Sequence, residues 1–306
     1  MTLETPSPTD KKRRKSRFKR RVEPKPMILQ DRDIDVLEAI WRGGRLTQKQ
    51  IELMFFGSYN ACYRRMDALF DNHFVKRDFI NAALGEPSPT FYGILRKGVD
   101  LLRERKGHSI RWYNSSKDVT DAYLRHAQVI NNVWAAVEAA CRNLDFQLEQ
   151  WHTEREVKAD YDRVRIISAH GQRDEVAVVP DSVFSVLAYG MRFWFALEAD
   201  RGTEAGKTWD KKVRGYNAWI DSGKFERRYN DSRMRVITVV RTRYSGVKRL
   251  QNLKRATEGA GGAKRFWFAP FEAIDLTRPE SIFEDFIWQV ASEAKPERLL
   301  KPPQPK

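Results

Sequence analysis

Two apolar runs, Glu175–Leu187 and Met191–Asp200, constrain this chain more than any other feature, because each is hydrophobic enough for a central strand and each carries acids. Asp181 follows Pro180 in VVPDSVFSV, and Glu198 and Asp200 close MRFWFALEADRG. Strands buried on both faces read as near-continuous hydrophobic runs, so these segments belong inside a sheet. Side chains alternate along a strand, so Glu198 and Asp200, two apart, point to the same face. Buried carboxylates that share a site repel, and one pKa rises unless a cation lies between them. Mg2+ or Mn2+ resolves that conflict, because such ions take carboxylate oxygens. Either ion also stabilises a phosphoryl transition state and acidifies an attacking water. Asp181, Glu198 and Asp200 are therefore nominated as metal ligands and catalytic residues.

Phosphoryl chemistry also needs a cation near the phosphate, and the helix after Gly202 offers Lys207, Lys211 and Lys212. Its core stripe is Trp209, Val213, Tyr216 and Ile220. At the helical pitch Lys212 lies roughly 70° from the stripe's centre, whereas Lys207 and Lys211 face solvent. Lys212 is the nominated catalytic cation. Tyr216, within the stripe, reads as packing rather than as a nucleophile. His126 sits in the stripe of an earlier helix, where it is either a core histidine or a neighbour of the acids.

Around these segments the pattern is helix, three strands, helix, strand, which predicts an α/β domain with a mixed sheet over residues 119–295. A long helix spans Val119–Asn143, with Val119, Tyr123, His126, Ile130, Val133, Val137 and Cys141 as its stripe. Strands follow at Phe146–Trp151, Glu175–Leu187, Met191–Asp200, Arg235–Val240 and Lys264–Ala269. Helices are expected at Thr208–Asp221, Val247–Glu258 and Glu280–Ala294, with a disordered tail over 296–306. RFWFA occurs at Arg192 and again at Arg265, which reads as two buried strands rather than a duplication.

Residues 31–107 carry a different pattern. One helix runs from Asp31 to the Gly43-Gly44 stop. TQKQ (Thr47–Gln50) forms a capping box. A third helix, SYNACYRRMDALFDN, buries Cys62, Met66, Leu69 and Phe70 and shows Tyr59, Asn60, Tyr63 and Arg64 on its other face, with Arg65 beside them. Two strands, Val75–Phe79 and Thr90–Leu95, and a helix Lys97–Lys106 complete the module, and Gly107–Asp118 links it to the next domain. Three helices and a hairpin are the winged helix-turn-helix order, in which the second helix of the pair enters the major groove. A protein-binding helical module has the same outline.

Charge favours the DNA reading. The 306 residues hold 56 Lys and Arg against 41 Asp and Glu, a net charge of +15 that suits a polyanion. Of the 11 residues in KKRRKSRFKRR (Lys11–Arg21), nine are basic. With four prolines in the first 26 residues and no hydrophobic pattern, residues 1–30 read as a disordered basic arm. Lys11, Lys12, Arg13, Arg14 and Lys15 would grip phosphates; a nuclear-localisation signal or a solubilising tail has the same composition. No apolar run is long enough to span a membrane and no secretory signal is visible, so a cytoplasmic protein is expected. Cys62 and Cys141 each fall in a helical stripe, as small buried hydrophobes in a reducing compartment do. The five histidines form no H-x-H cluster, and no G-x-x-x-x-G-K-[ST] loop is present, which argues against a histidine-metal relaxase and against ATP hydrolysis.

Helix, PD, then a strand ending in E-x-D resembles the PD-(D/E)XK fold of restriction-endonuclease-like nucleases. More narrowly, the helical module joined to PDSVFSV, FALEADRGTE and DKKVRGY resembles the replication-relaxation family, which includes MOBC-type plasmid relaxases; the resemblance covers Asp31 to Val240. It implies a winged helix followed by a nuclease-like domain, and metal-dependent nicking of double-stranded DNA at a plasmid or mobile-element transfer or replication origin. Single-stranded DNA after nicking and relaxosome proteins are its further implied partners. Asp181, Glu198 and Asp200 carry over as the site, with Lys212 as the cation. Asp200 stands where the nuclease motif has lysine. That departure leaves a second expectation open, a non-catalytic DNA-binding accessory with an inactive nuclease-like domain.

Overall fold

The computed structural model describes residues 16, 18–81, 88–107, 110, 119–202, 206–241 and 246–302. Its first part is built on caps. Helix α1 (Asp31–Gly43) stops where Gly44 turns to φ 70°, a left-handed backbone that suits a residue without Cβ. Two residues of strand β1 (Leu46–Thr47) lead into α2 (Gln48–Phe55), and the TQKQ box forms as expected. Thr47 N–H donates to Gln50 Oε1 at 2.7 Å while Thr47 Oγ1 accepts from Gln50 N at 3.3 Å. Helix α3 (Tyr59–Asp71), capped by Ser58, is followed by strands β2 (Val75–Asp78) and β3 (Phe91–Ile94) and helix α4 (Arg96–Lys106). The three strands make one antiparallel sheet in the order β1-β3-β2.

The second part opens with α5 (Asp121–Asn143), strand β4 (Gln147–Thr153) and α6 (Glu154–Ala159). Among the described residues, strands β5 (Asp162–Ile167) and β6 (Arg173–Val178) pair only with each other. Then come β7 (Ser182–Ala188), β8 (Met191–Asp200), α7 (Gly206–Asp221), α8 (Lys224–Tyr229), β9 (Met234–Val240), α9 (Gly246–Gly259) and β10 (Phe266–Pro270). A short α10 (Ser281–Glu284) precedes β11 (Trp288–Val290) and β12 (Pro296–Glu297). The main sheet has seven strands in the order β12-β11-β10-β9-β8-β7-β4. Strands β8, β9 and β10 are parallel and the other pairings antiparallel, so the sheet is mixed as expected. The two RFWFA segments flank β9 as buried strands.

Alternation along β8 divides the interior. Phe195 and Leu197 pack on the α5 side, where Trp151, Phe184 and Phe195 stack at ring separations of 4.7 and 4.9 Å. Trp194 and Ala196 face the other way, against Trp209, Val213 and Tyr216 of α7 and Leu250 and Leu253 of α9. The first cluster continues without a break into α1, α2 and α3, so helix α5 is covered on both sides. Polar seams cross the same junction: Gln50 Nε2 donates to Asn132 Oδ1 at 2.7 Å, and Asn131 Nδ2 to the carbonyls of Gly43 and Arg45 at 3.0 and 2.8 Å.

Several expectations fail for identifiable reasons. The run Glu175–Leu187 is two strands in different sheets, because Pro180 cannot donate to a ladder and the chain turns at Asp181. The expected helix over Glu280–Ala294 survives only as α10. Trp288 leaves it to become a buried strand residue whose Nε1 donates to Ile282 O at 2.9 Å. The expected disordered tail includes β12, and Leu299 and Leu300 are buried. Tyr123, placed in the α5 stripe, is exposed, because the buried arc includes Leu124, Ala127 and Asn131 instead.

Candidate functional site

The acids meet at one end of the main sheet. Asp181, just ahead of β7, is anchored to β8: its N–H donates to Leu197 O at 3.0 Å and its Oδ2 accepts from Ala199 N at 2.8 Å. Glu198 and Asp200 share the face toward α7 and α9, as their spacing predicts, and both are buried. Lys212 reaches inward from α7 and donates from Nζ to Glu198 Oε2 at 2.8 Å. The Tyr216 hydroxyl, one turn on, donates to Glu198 Oε1 at 2.5 Å. Lys211 instead pairs with Asp174 at 2.6 Å on the outer side, which separates the two lysines as the helical phase indicated. A cavity of about 300 Å³ opens on Asp181 and His126, and a second of about 230 Å³ on Glu198, Lys212 and Tyr216.

Burial pushes the Glu198 carboxyl up to about 7; Lys212 opposes the rise, Asp181 adds to it, and Tyr216 opposes it again. Burial alone would raise Asp181 as well, but the hydrogen bond and charge of His126, with the Ala199 N–H and Lys212, hold it below the ordinary carboxylate range. His126 Nε2 lies 3.3 Å from Asp181 Oδ1. Burial lowers the His126 pKa, yet Asp181 more than offsets this and the net direction is upward. Near neutrality the site therefore holds an ionised Asp181 beside a Glu198 poised between its two forms.

A raised acid pKa stabilises the folded state below the ordinary value of 4.5, and that stability is lost as pH rises through about 7. Glu198→Gln should gain on the wild type over that interval, the difference levelling off above it. Urea midpoints measured for both proteins across the interval check this, and a difference independent of pH would contradict the buried-acid assignment.

Asp200, expected as a metal ligand, is engaged by an arginine in the structure. Arg249 on α9 grips it through two hydrogen bonds, Nε to Oδ2 at 2.9 Å and Nη2 to Oδ1 at 2.8 Å. Oδ2 also accepts from Gly202 N at 3.1 Å, so both Asp200 oxygens are engaged. Among the described residues, the donor atoms that lie within 4.8 Å of one another belong to His126, Glu154 and Asp181, not to the three nominated acids. Arg249 and Glu154 were invisible to sequence reasoning, since neither belongs to a motif. The helical phase of Tyr216 revealed its packing but not its hydrogen bond.

On α3, Tyr59, Asn60, Tyr63 and Arg64 are exposed, and the two tyrosine rings stack at 6.1 Å. Arg65 does not join them. Its Nε donates to Asp33 Oδ1 at 2.6 Å and its Nη2 to Ile28 O at 2.7 Å, which ties it to the start of α1. Lys11, Lys12, Arg13, Arg14 and Lys15 lie outside the described residues. The arm's last residues are docked: Arg20 sits 4.0 Å over the Phe70 ring and donates to Val75 O at 3.1 Å, while Arg21 pairs with Asp67 and Asp71.

Fold and site together define a mixed α/β protein with an acid–lysine cluster at the end of its central sheet and a helix-and-hairpin module packed against it. The chain belongs to the replication-relaxation family, whose pattern matches residues 37–233. Among solved structures it is similar to restriction endonuclease FokI, at 10% identity and a TM-score of 0.24. That match covers 81% of this chain and 43% of the FokI chain, so the matched part spans less than half of that protein. No curated protein matches the chain. Among the described residues, no helix is long and apolar enough to cross a membrane.

Proposed function

We propose that this chain processes DNA by nicking one strand at a plasmid or mobile-element transfer or replication origin, as a relaxase-like metal-dependent endonuclease. In this reading the α/β part is a restriction-endonuclease-like domain, and residues 31–107 are a winged helix-turn-helix that delivers duplex DNA to it. The observation that carries the reading is the Lys212–Glu198 pair, set beside an ionised Asp181 where the strands end. Membership of the replication-relaxation family supports a DNA-processing role.

Asp181 and Glu198 are the acids that would hold Mg2+ or Mn2+: burial and the Asp181 charge raise Glu198, while His126 and the Ala199 N–H keep Asp181 ionised, and a divalent ion beside both would favour the ionised form of Glu198. All three acids are engaged in the structure, and Asp200 is held most firmly, by a two-point contact from Arg249 and by Gly202 N–H, so it is the least suited of the three to take an ion. The ion would supply charge for the phosphoryl transition state and a more acidic water. Lys212 would stabilise the phosphate as charge builds on it. Tyr216 holds Glu198 in one orientation. Relaxosome proteins and the released single strand would meet the complex after nicking. The Arg249–Asp200 pair favours a second reading, a DNA-binding accessory without catalysis, because it neutralises one acid of the motif.

Helix α3 is the proposed reader of base edges. Arg64 and Asn60 are types that pair with guanine and adenine, each contact contributing about 1–3 kcal/mol of discrimination. Arg64→Ala or Asn60→Ala should weaken cognate binding more than binding to random duplex in competition titrations; equal loss on both would demote them to backbone contacts. Arg65→Ala should act differently, lowering stability by exposing the wholly buried Asp33 to loss of its partner.

The basic arm is proposed to add affinity without specificity. Deleting residues 1–15 leaves the docked Arg20 and Arg21 in place, and should flatten the log K against log[salt] slope by roughly 0.9 per lost phosphate contact. Preference for the cognate site should survive. An unchanged slope would show that Lys11–Lys15 touch no phosphate.

A further inference from the structure

Asp181 faces two ways. Its Oδ2 is turned to the β8 backbone, where it accepts from Ala199 N. Its Oδ1 is turned toward α5, where His126 Nε2 lies at 3.3 Å. Glu154, first residue of α6, comes to the same point from the end of β4. One ligand atom from each of His126, Glu154 and Asp181 falls within 4.8 Å of the other two, the spread of a first coordination shell around a single ion. The set comes from three separate elements, so no local turn accounts for it.

Two further observations distinguish this cluster from an ordinary ion pair. Among the described residues, the other ring nitrogen of His126, Nδ1, is buried with no hydrogen-bond partner. Nδ1 lies across the ring from the Nε2 that faces Asp181, so it is open to a water or another outer partner, the kind that fixes the orientation of a ligating histidine. The cluster also lines the cavity of about 300 Å³ that separates it from Gly43 and Gly44 at the end of α1, so an ion and its waters have both room and entry. Lys158 pairs with Glu154 from one turn along α6, an exposed contact that an incoming ion can replace.

We propose that His126, Glu154 and Asp181 form a binding site for a divalent transition ion of the Mn2+ or Zn2+ class, distinct from the Asp181–Glu198 position and sharing only Asp181 with it. The donor set carries the choice of metal. Imidazole nitrogen favours transition ions over Mg2+ or Ca2+, and two carboxylates keep the site within reach of Mn2+. The inference does not depend on the nicking reading, because a non-catalytic protein would hold the same three donors.

Pulsed electron paramagnetic resonance of Mn2+ on the full chain tests this, because a coordinated imidazole imprints 14N modulation on the echo. Glu198→Gln removes a carboxylate of the other position and leaves this one intact. The expected result is 14N modulation in the wild type and in Glu198→Gln, lost in His126→Gln. Glu154→Gln, which changes a partly exposed helix residue, should keep the modulation and weaken Mn2+ binding on the order of tenfold or more. Oxygen-only Mn2+ that disappears in Glu198→Gln would overturn this site and leave the Asp181–Glu198 reading standing. Nitrogen-coupled Mn2+ with no cleavage under any condition would support the site and sink the nicking reading. No Mn2+ bound by either protein would overturn both.

Discussion

Asp181→Asn is expected to reduce strand cleavage on the order of 10²–10³-fold or more while leaving DNA affinity nearly unchanged. The carboxylate is ionised, held by Ala199 N and His126, and stands where the strands end, so its charge serves the site rather than the core. Asn keeps the shape and the amide can still meet its neighbours, so the melting temperature should move little. Lys212→Ala should slow cleavage to a similar degree, yet for another reason. It removes transition-state charge and leaves Glu198 buried without its cation, so Glu198 should become harder to ionise. Lys211→Ala, which breaks an exposed pair with Asp174, should change cleavage by less than about twofold, since such pairs contribute about 0–1 kcal/mol. Single-turnover rates for the three variants decide the matter. A Lys211 effect equal to that of Lys212 would refute the assignment of the inward lysine.

Arg249→Met is expected to cost about 3–5 kcal/mol of folding stability, the range for stripping one partner from a buried ion pair. Asp200 has a side chain only 1% exposed and, among the described residues, would keep the backbone donor Gly202 N after the change. Combining Arg249→Met with Asp200→Asn should recover most of the loss, because the uncompensated charge is then gone. Urea unfolding of the wild type, both single variants and the double variant closes the cycle. Additive losses would show that the two side chains do not depend on each other. The same experiment bears on function: if Asp200 serves Arg249, Asp200→Asn should bind Mn2+ as the wild type does.

Legibility followed local constraint. Strand β8 was readable to the residue because its apolar run is closed by Tyr189-Gly190 before it and Arg201-Gly202 after it. The capping box at Thr47 was readable because both halves lie within four residues. The pairing of Glu198 and Asp200 on one face, and the inward placement of Lys212, followed from periods of two and 3.6 residues. Strand β5, by contrast, reads DRVRII, where charged residues alternate with apolar ones in a two-stranded hairpin that buries one face only. SIFEDFIWQVASEA has helical spacing on paper, but the chain leaves the helix at Asp285 and tertiary packing of Trp288 decides the rest.

The counter-ions of the acids lay beyond sequence reasoning. Arg249 is 49 residues from Asp200 and His126 is 55 from Asp181, so only the assembled sheet brings them together. Arg65 shows the converse error, an arginine next to the reading face whose guanidinium is claimed by Asp33. Cation type and helix face were visible; which acid each cation answers was not.

The central claim is most directly tested by incubating the full chain with a supercoiled plasmid that carries the DNA flanking its own coding sequence. With Mg2+ or Mn2+ the wild type should convert supercoiled to open-circular plasmid. Neither the wild type in chelator nor Asp181→Asn with metal should do so. A wild type that binds this plasmid tightly and nicks it with neither metal would contradict the account and leave a DNA-binding accessory in its place.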